Sequence, residues 1–383
     1  MPKTAALPLP IETATPPRRH AMAPTAARVA RARHDLARWM LSPAVAREGA
    51  DGSVGVVNWL AADSDDHDGL YPEIGGYYLS FLTQIVGVDA AEDECRTLAA
   101  KVLDWFDRSG ADGAPATIER RCARAGDWRN HCLFTFDLAM IVRGMIAVER
   151  RWPGLVAPAL LARYRAAAEA IGADGRLGSH RVREGGGVVV PVKWSTQVDV
   201  HHVKAAAALD EGDDGAAVLA RTTLDAWREE ARRPVRELHP ALYLVEGWLI
   251  AWARGGDVGD LARAADMFAA VLDTMDPVTL DLPAIVGEPM ASSRGDAQAQ
   301  LLRAGLILDR AGALAPPLAQ HWRVLVPAIT ANVLDWIAPA GGMTFDRRSG
   351  HRNSWASMFA WGALELTRPR RTETAREDAA RLI

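Results

Sequence analysis

Apolar residues recur along most of this chain at the three- and four-residue spacing of a helix, and almost no stretch alternates as a strand would. Glycine, proline and aspartate divide the pattern into about twelve segments. The predicted helices cover residues 25–41, 73–87, 92–110, 130–150, 158–171, 195–209, 214–231, 240–253, 260–276, 294–311, 319–336 and 352–367. The pattern therefore predicts an all-α protein.

The predicted helices alternate in character along the chain. The odd-numbered ones, such as 27–40 and 222–232, carry charges on one face, whereas the even-numbered ones, such as 242–252 and 354–366, are apolar nearly all round. An outer layer of half-exposed helices around a buried inner layer gives six hairpins in a closed ring, an (α/α)6 toroid. A two-domain helical protein or an open superhelix would contain the same helices, but an open superhelix favours a fixed repeat length, and these hairpins vary in their loops.

A single domain can take up almost all of the 383 residues. Residues 1–24 are rich in proline, alanine and threonine and lack an apolar core of signal-peptide length, so we expect a disordered N-terminal tail. The toroid is expected to cover 25–370 and a C-terminal tail 371–383.

Composition narrows the possible partners and the compartment. The charged fraction is 24% and the formal net charge is −4, which is not the footprint of a nucleic-acid-binding protein. No apolar run is long enough to cross a membrane. Three cysteines (Cys95, Cys122 and Cys132) cannot all pair with one another, and this favours a reducing compartment, the cytoplasm.

The sequence gives no sign of a metal or another cofactor. It contains no His-Glu-x-x-His pattern and no glycine-rich phosphate loop. His201 and His202 are adjacent, so on a helix their side chains point roughly 100° apart and cannot share one ion through a common face. We therefore expect neither a metal site nor a cofactor.

The loops that precede the even-numbered helices hold many aromatic and ionisable residues, and they would meet at one end of the ring. The segment Tyr71-Pro-Glu-Ile-Gly-Gly-Tyr77 is the most informative of them. Pro72 suits a helix start, and a glutamate in the first turn is stabilised by the helix dipole. Glu73 is thus either a capping residue or a carboxylate that accepts or donates protons at a cavity, flanked by tyrosines that could stack on sugar rings.

Two carboxylates fall inside otherwise apolar helices, Asp137 and Glu246. Burial of a carboxylate costs free energy unless it is paired or hydrogen-bonded. An arginine partner would make either residue structural, whereas exposure to a cavity would make it ligand-binding.

Several segments together resemble bacterial proteins of the six-hairpin glycosidase-like superfamily, which are often associated with polysaccharide biosynthesis. The resemblance covers about residues 50–367 and rests on Tyr71-Pro-Glu-Ile-Gly-Gly-Tyr77, on Leu238-His-Pro-Ala-Leu-Tyr-Leu-Val-Glu-Gly247, on Asp296-Ala-Gln298 and on Asn353-Ser-Trp-Ala356. It implies an (α/α)6 toroid and an activity like that of glucuronide hydrolases, sugar epimerases or polysaccharide lyases. The chain departs from the usual pattern at Gly75, where a threonine is familiar, and it lacks an Asp-Gly-Ser-Trp or Asp-Gly-Ser-Phe loop.

The leading hypothesis is a carbohydrate-active enzyme that uses acid–base chemistry on a sugar or glycan in the central cavity, of hydrolase, lyase or epimerase type. The candidate proton-transfer residues are Glu73, Glu246 and Asp296. The candidate substrate-binding residues are Tyr71, Tyr77, Asp137, Asp199, His202, His239, Tyr243, Gln298, Arg347, Asn353 and Trp355. Arg347 or Arg294 would hold an anionic substituent.

Two other hypotheses come from different classes. The ring could be a glycan-binding or accessory protein of a biosynthetic pathway, with carboxylates that hold hydroxyls and never transfer protons. The string Asp63-Ser-Asp-Asp66 resembles the acid motif of class II terpene cyclases, although an acidic solvated loop would read the same.

Overall fold

The computed structural model describes residues 23–62, 64, 67, 69–109, 115–116, 119–120, 127–183, 187–230, 236–288, 293–368 and 373–383. Its helices are Ala26–Met40 (α1), Pro72–Ile85 (α2), Glu92–Arg108 (α3), Thr135–Arg151 (α4), Pro158–Glu169 (α5), His202–Leu209 (α6), Gly215–Glu229 (α7), Leu238–Gly255 (α8), Val258–Leu272 (α9), Gly295–Arg310 (α10), Pro316–Asp335 (α11), Ser354–Leu366 (α12) and Ala375–Ala380 (α13). The predicted all-α architecture is confirmed, because twelve of these helices match the predicted segments in order.

The helices form two concentric layers. Every residue of α8 from Leu238 to Trp252 is buried, whereas α3 buries only one face. Each even-numbered helix packs against the next, and α12 packs against both α1 and α2, so that the inner ring closes. None of the helices in the described ranges is long and apolar enough to span a membrane.

Glycines allow α2 and α4 to approach unusually closely. A Cβ atom at Gly144 would lie 2.2 Å from the carbonyl oxygen of Gly76, and one at Gly76 would lie 2.6 Å from the backbone nitrogen of Ile141. Any larger side chain at either position would force the two helices apart. This contact holds the first turns of α2 and α4 side by side.

Short strands surround the ends at which the inner helices begin. They are Ala46–Glu48 (β1), Val54–Val56 (β2), Trp59–Leu60 (β3), Gly69–Leu70 (β4), Glu119–Arg120 (β5), Cys132–Phe134 (β6), His180–Val182 (β7), Met343–Thr344 (β8) and Arg352–Asn353 (β9). All pairings are antiparallel: β1 with β2, β4 with β5, β6 with β7, and β9 between β3 and β8. The β3–β9 pair joins the first part of the ring to the last.

Helix α6 is shorter than the sequence predicts. It begins at His202 instead of residue 195, and Trp194–Thr196 forms a separate 3-10 turn. The Thr196 hydroxyl accepts a hydrogen bond from the Lys193 backbone nitrogen at 2.8 Å, and this local bond competes with the helical pattern.

Residues 373–383 are packed against the ring, although the sequence analysis assigned 371–383 to a tail. The helix α13 begins with a capping box formed by Thr374 and Glu377. Leu382 and Ile383 are buried beneath the inner helices. The apolar end of this segment therefore belongs to the core.

Candidate active site

A cavity of about 590 Å³ lies at the ends where the inner helices begin. Its lining combines tryptophans, carboxyl groups, imidazoles and cations. The lining residues are Asn58, Trp59, Tyr71, Glu73, Ile74, Trp128, Arg129, Phe134, Phe136, Asp137, Lys193, Trp194, Ser195, His201, His239, Tyr243, Arg294, Phe345, Asp346, Ser349, His351, Asn353 and Trp355.

Two carboxyl groups stand next to each other on one wall of this cavity. Glu73 is in the first turn of α2 and Asp137 in the first turn of α4. The helix dipoles favour the charged form of both groups, but burial outweighs them and raises the pKa of Glu73 to about 7. Burial, together with the charge of Glu73, also raises the pKa of Asp137 well above its usual range. The pair therefore retains a proton at neutral pH.

Tyrosine hydroxyls surround the Glu73 carboxyl. Burial raises its pKa, while hydrogen bonds from Tyr77 and Tyr71 and the charge of Lys204 partly oppose that change. Tyr71 lines the cavity, but Tyr77 lies beneath it, with 1% of its surface exposed. The hydroxyl oxygens of Tyr77 and Tyr243 are 3.1 Å apart, at hydrogen-bond distance.

On another part of the lining, His239 is held through one ring nitrogen. Its Nδ1 is 2.7 Å from Gln300 Oε1 and 3.5 Å from Asp296 Oδ2. An amide oxygen only accepts hydrogen bonds, so Nδ1 carries the proton and Nε2 offers its lone pair. Burial lowers the pKa of His239 to about 4, so that the imidazole is neutral at pH 7.

Asp296 supports His239 from behind the cavity wall. Its Oδ1 accepts from Arg294 Nε at 3.0 Å, and its Oδ2 accepts from Trp355 Nε1 at 2.9 Å. Burial alone would raise the pKa of Asp296, but Arg294 and His239 outweigh burial and lower it to about 2. The residue is fully buried and does not line the cavity. The structure thus places it as a charged support for His239.

Of the two adjacent histidines, His201 lines the cavity and His202 does not. The ring of His201 meets the edge of Trp194 at a centroid distance of 5.0 Å, and burial lowers the pKa of His201 well below its usual range. His202 Nδ1 lies 3.3 Å from the backbone nitrogen of Asp199, whose own carboxylate accepts from Val200. His202 and Asp199 therefore order the entry to α6.

Glu246 belongs to a buried ion cluster below the cavity. Its Oε2 accepts from Lys204 Nζ at 2.8 Å and its Oε1 from Arg303 Nε at 2.6 Å. Burial would raise the pKa of Glu246, but the two cations outweigh burial and lower it. A paired carboxylate with no exposed surface is placed as a structural group.

Two more of the predicted residues lie outside the lining. Arg347 bonds Asp281 at 3.1 Å and stacks on Trp336, with its guanidinium 4.0 Å from the ring centroid. The Gln298 amide faces the backbone of Leu280 and Leu282. In all, the cavity brings together Tyr71, Glu73, Asp137, His239, Tyr243, Asn353 and Trp355, while Tyr77, Asp199, His202, Glu246, Asp296, Gln298 and Arg347 lie behind or below it.

Most of the aromatic residues that line the cavity were not predicted from the sequence. Trp355 was predicted, but Trp59, Trp128 and Trp194 also line the cavity. Trp59 stacks on His351 with 4.1 Å between ring centroids and an interplanar angle of 3°. A tryptophan in a polar loop is the signal that could have identified these residues, since such a side chain has no core to enter.

Two further expectations concern metals and the acidic string. Among the residues that the structure describes, no group of three or more histidine, cysteine, aspartate or glutamate side chains could hold a metal ion. Asp63, Asp65 and Asp66 lie outside the described residues.

Several solved structures share this fold at low sequence identity. A D-mannose isomerase matches with a TM-score of 0.64 at 11% identity, over 88% of this chain and 96% of that one. The cellobiose 2-epimerase from Bacillus thermoamylovorans matches with a TM-score of 0.63 at 10% identity, over 88% of this chain and 98% of that one. An unsaturated glucuronyl hydrolase specific for heparin matches with a TM-score of 0.58 at 12% identity, over 89% of this chain and 96% of that one. These structures confirm the six-hairpin toroid.

The sequence comparisons add nothing to this. No family model matches the chain, and a search of the curated proteins finds no match.

Proposed function

We propose that this protein is an enzyme that acts on a sugar by proton transfer, of the isomerase or epimerase type. The observation that carries the proposal is that one cavity is lined by two carboxyl groups, Glu73 and Asp137, whose pKa values are raised by burial, and by the imidazole of His239, whose pKa is lowered. An acid and a base that both work near neutral pH are the groups that general acid–base catalysis needs.

The lining suits a sugar ring. Four tryptophans offer flat apolar faces, and sugar C–H faces pack on such surfaces while hydroxyls bond to polar groups between them. Asn353, Asp346 and Ser349 supply polar atoms in the same lining. A cavity of about 590 Å³ falls within the usual size range for small-molecule sites.

The chemistry can be written for an open-chain sugar. His239 Nε2 removes the proton from the carbon next to the carbonyl, while the protonated Glu73 carboxyl gives its proton to the carbonyl oxygen. The product is an enediol, the imidazole is then cationic and Glu73 is ionised. The imidazolium then gives its proton to the former carbonyl carbon, while the Glu73 carboxylate takes the proton of the adjacent enediol hydroxyl, which completes an isomerisation and restores both groups. Epimerisation instead requires a second acid that delivers a proton to the original carbon from the opposite face. Asp296, 3.5 Å from Nδ1, stabilises the imidazolium in between.

Hydrolysis is a second candidate, favoured by the juxtaposition of two carboxyls. A pair that shares one proton provides an acid for the leaving oxygen and a carboxylate that could activate water. The structural neighbours include both kinds of enzyme, the D-mannose isomerase and cellobiose 2-epimerase on one side and the unsaturated glucuronyl hydrolase on the other.

Incubation with sugars in D2O, followed by NMR, tests and separates these possibilities. The substrates to compare are mannose, fructose, glucose, cellobiose and an unsaturated glucuronyl disaccharide. Isomerase or epimerase action predicts a new sugar that carries deuterium at the carbon next to the carbonyl. Hydrolysis predicts a new reducing end on the sugar that leaves, without carbon-bound deuterium in that sugar, because none of its C–H bonds is broken. Binding without either change would indicate a glycan-binding protein and would overturn the proposed enzymatic function.

Glu73→Gln provides the matching variant. Because the amide cannot transfer the proton, turnover should fall by about 10²–10⁴-fold. The control is Glu92→Gln in the first turn of the outer helix α3, an exposed residue far from the lining in sequence and layer. Equal turnover in both variants would remove Glu73 from the mechanism.

The cellular compartment and the pathway in which this activity takes place are also proposals. Cys95 and Cys132 are buried free thiols, which supports a reducing compartment and so the cytoplasm. A role in polysaccharide biosynthesis rests on the family resemblance of the sequence.

A further inference from the structure

A buried lysine lies directly below the cavity floor. Lys204 on α6 has no exposed surface, and its Nζ donates to Glu246 at 2.8 Å and to the main-chain oxygen of Ile383. The same Nζ is 4.5 Å from the ring centroid of Tyr243 and 5.0 Å from that of Tyr77. One ammonium group therefore contacts the faces of two tyrosines from two other inner helices.

The hydroxyls of these tyrosines lead to Glu73. Tyr77 follows Glu73 by four residues on α2, so the two side chains lie on the same face of that helix. The Tyr77 hydroxyl oxygen is 3.1 Å from that of Tyr243, which lines the cavity together with Glu73. Because a hydroxyl hydrogen rotates to suit its partners, Tyr243 can donate to Tyr77 while Tyr77 donates to Glu73. A cation against a phenol ring draws electron density from the ring and makes its O–H a stronger donor. Lys204 thus acts on Glu73 through Tyr77 and also directly through its charge.

We propose that Tyr77 and Lys204 are positioning residues that fix the Glu73 carboxyl and set its proton affinity from below the cavity, without touching the substrate. The assignment of a catalytic role to Glu73 rests on the proposed function, but the effect on the carboxyl itself does not. Tyr77 is not part of the lining and Lys204 is fully buried, so neither residue reaches a ligand.

Other ionisable groups face Glu73 from the surrounding elements, and the test must account for them. They are Tyr71, which directly precedes α2, Asp137 on α4, Lys204 on α6 and Tyr243 on α8, while Glu246 on α8 acts on Tyr77 and Tyr243. Ionised Glu73 raises the pKa of Asp137, and Lys204 favours the ionisation of Glu73. Burial lowers the pKa of Lys204 and Glu246 opposes that change, so the ammonium depends on Glu246 for its charge.

Two adjacent tyrosines supply a matched experiment. Tyr77→Phe removes the hydroxyl that reaches Glu73, and Tyr78→Phe removes a buried hydroxyl on the same helix that donates to Met40 at 3.2 Å. Both phenylalanines keep the ring, so the loss of stability should be similar. Thermal unfolding of the two variants checks that equivalence.

Infrared titration of the free protein gives the decisive measurement. The carbonyl band of the protonated Glu73 carboxyl is assigned by its loss in Glu73→Gln and separated from that of Asp137 by Asp137→Asn. Tyr77→Phe should raise the titration midpoint of Glu73 by about one pH unit or more, since a hydrogen bond to the charged form is lost. Tyr78→Phe should leave the midpoint in place. Equal midpoints in Tyr77→Phe and the parent protein would overturn the proposal.

Lys204→Met and Glu246→Gln test the effect of the Lys204 charge. Lys204→Met removes the positive charge below the rings, so it should raise the Glu73 midpoint. Glu246→Gln removes the carboxylate that keeps Lys204 charged, so it should raise the Glu73 midpoint only as far as Lys204 loses its proton, and less than Lys204→Met does. Lys204→Met leaves Glu246 paired with Arg303, which guards against an isolated buried charge. If neither variant moves the midpoint, Lys204 is not a positioning residue. Shifted midpoints in a protein that turns over no sugar would instead contradict only the proposed function.

Discussion

The protonation state of each buried carboxyl group depends on the groups around it, as Glu73, Asp137 and Glu246 show. Glu73 and Asp137 lie beside each other, and no cation of the described residues forms an ion pair with either, so burial raises the pKa of both. Glu246 is more deeply buried, yet Lys204 and Arg303 keep it ionised. Burial alone therefore does not predict protonation, and the position of the nearest cation does.

The pH dependence of turnover should follow from Glu73 and His239. If the base is neutral His239 and the acid is protonated Glu73, kcat/KM should rise with pH through about 4 and fall through about 7. Because the pKa of His239 is lowered and that of Glu73 raised, the two limbs bracket a plateau. A pH–rate profile on the substrate that is turned over measures both limbs.

His321→Asn serves as the control for this profile, because His321 is exposed on α11 and outside the lining. It should keep both limbs. A parent profile that continues to rise above pH 8 would contradict the assignment of Glu73 as the acid.

The sequence predicts individual site residues to different degrees. The cavity could be predicted directly from one helix start, where Tyr71 precedes Pro72 and Glu73. Asp137 and Glu246 looked equivalent, since both are carboxylates in apolar helices. The partners of Glu246 lie 42 and 57 residues away on other helices, and no local pattern can pair them.

At the scale of elements, the contact between α2 and α4 fixes the carboxyl pair. Glu73 and Asp137 are each in the first turn of their helices, and the glycines that permit the close approach, Gly76 and Gly144, lie within about two turns of them. The two carboxyls cannot move apart unless the helices do.

Gly144→Ala should weaken both the fold and the pair. The new Cβ would meet the Gly76 carbonyl oxygen at 2.2 Å, and the resulting overpacking should cost about 1–3 kcal/mol. The Asp137 titration midpoint should fall as the charge of Glu73 moves away from it. Chemical denaturation and infrared titration measure the two effects.

Gly362→Ala on α12 is the matched control. A Cβ there meets nothing within 4 Å, so the substitution should be neutral or stabilising through helix propensity, by up to about 1 kcal/mol. Equal stability of the two alanine variants would contradict the close contact of α2 and α4.

The elements themselves were largely predictable because each inner helix is long, apolar and bounded by punctuation. The sequence missed the nine short strands of the described ranges, since two or three residues are too few to show alternation. It also began α6 seven residues early, because the Thr196 side chain competes with the backbone.

At the scale of the whole molecule, the C-terminal segment joins inner helices that are distant in sequence. Arg143 on α4 donates to the carbonyl oxygens of Ala380 and Leu382, and Lys204 and Arg303 donate to that of Ile383. Three cations, of which Lys204 and Arg303 are buried, thus converge on one short stretch. The sequence offered no sign of this, because Ala375–Ala380 is shorter than the segments that periodicity detects.

Deletion of residues 373–383 should destabilise the ring by more than about 3 kcal/mol. Hydrogen bonds from charged donors contribute about 1.5–3 kcal/mol each, and the buried cations would lose their acceptors. Thermal unfolding measures the change. Glu373→Gln, which weakens the partly exposed pair with Arg381, should cost no more than about 1 kcal/mol. A deletion as mild as this substitution would show that the segment is not part of the core.

Below Tyr77 and Tyr243 the described part of the ring is filled by Lys204, Arg303 and residues 382–383, so these residues leave no passage through the ring beneath the cavity. A long chain therefore cannot thread through the centre of the ring. A ligand that binds beside Glu73 must enter and leave at the end of the ring where the inner helices begin.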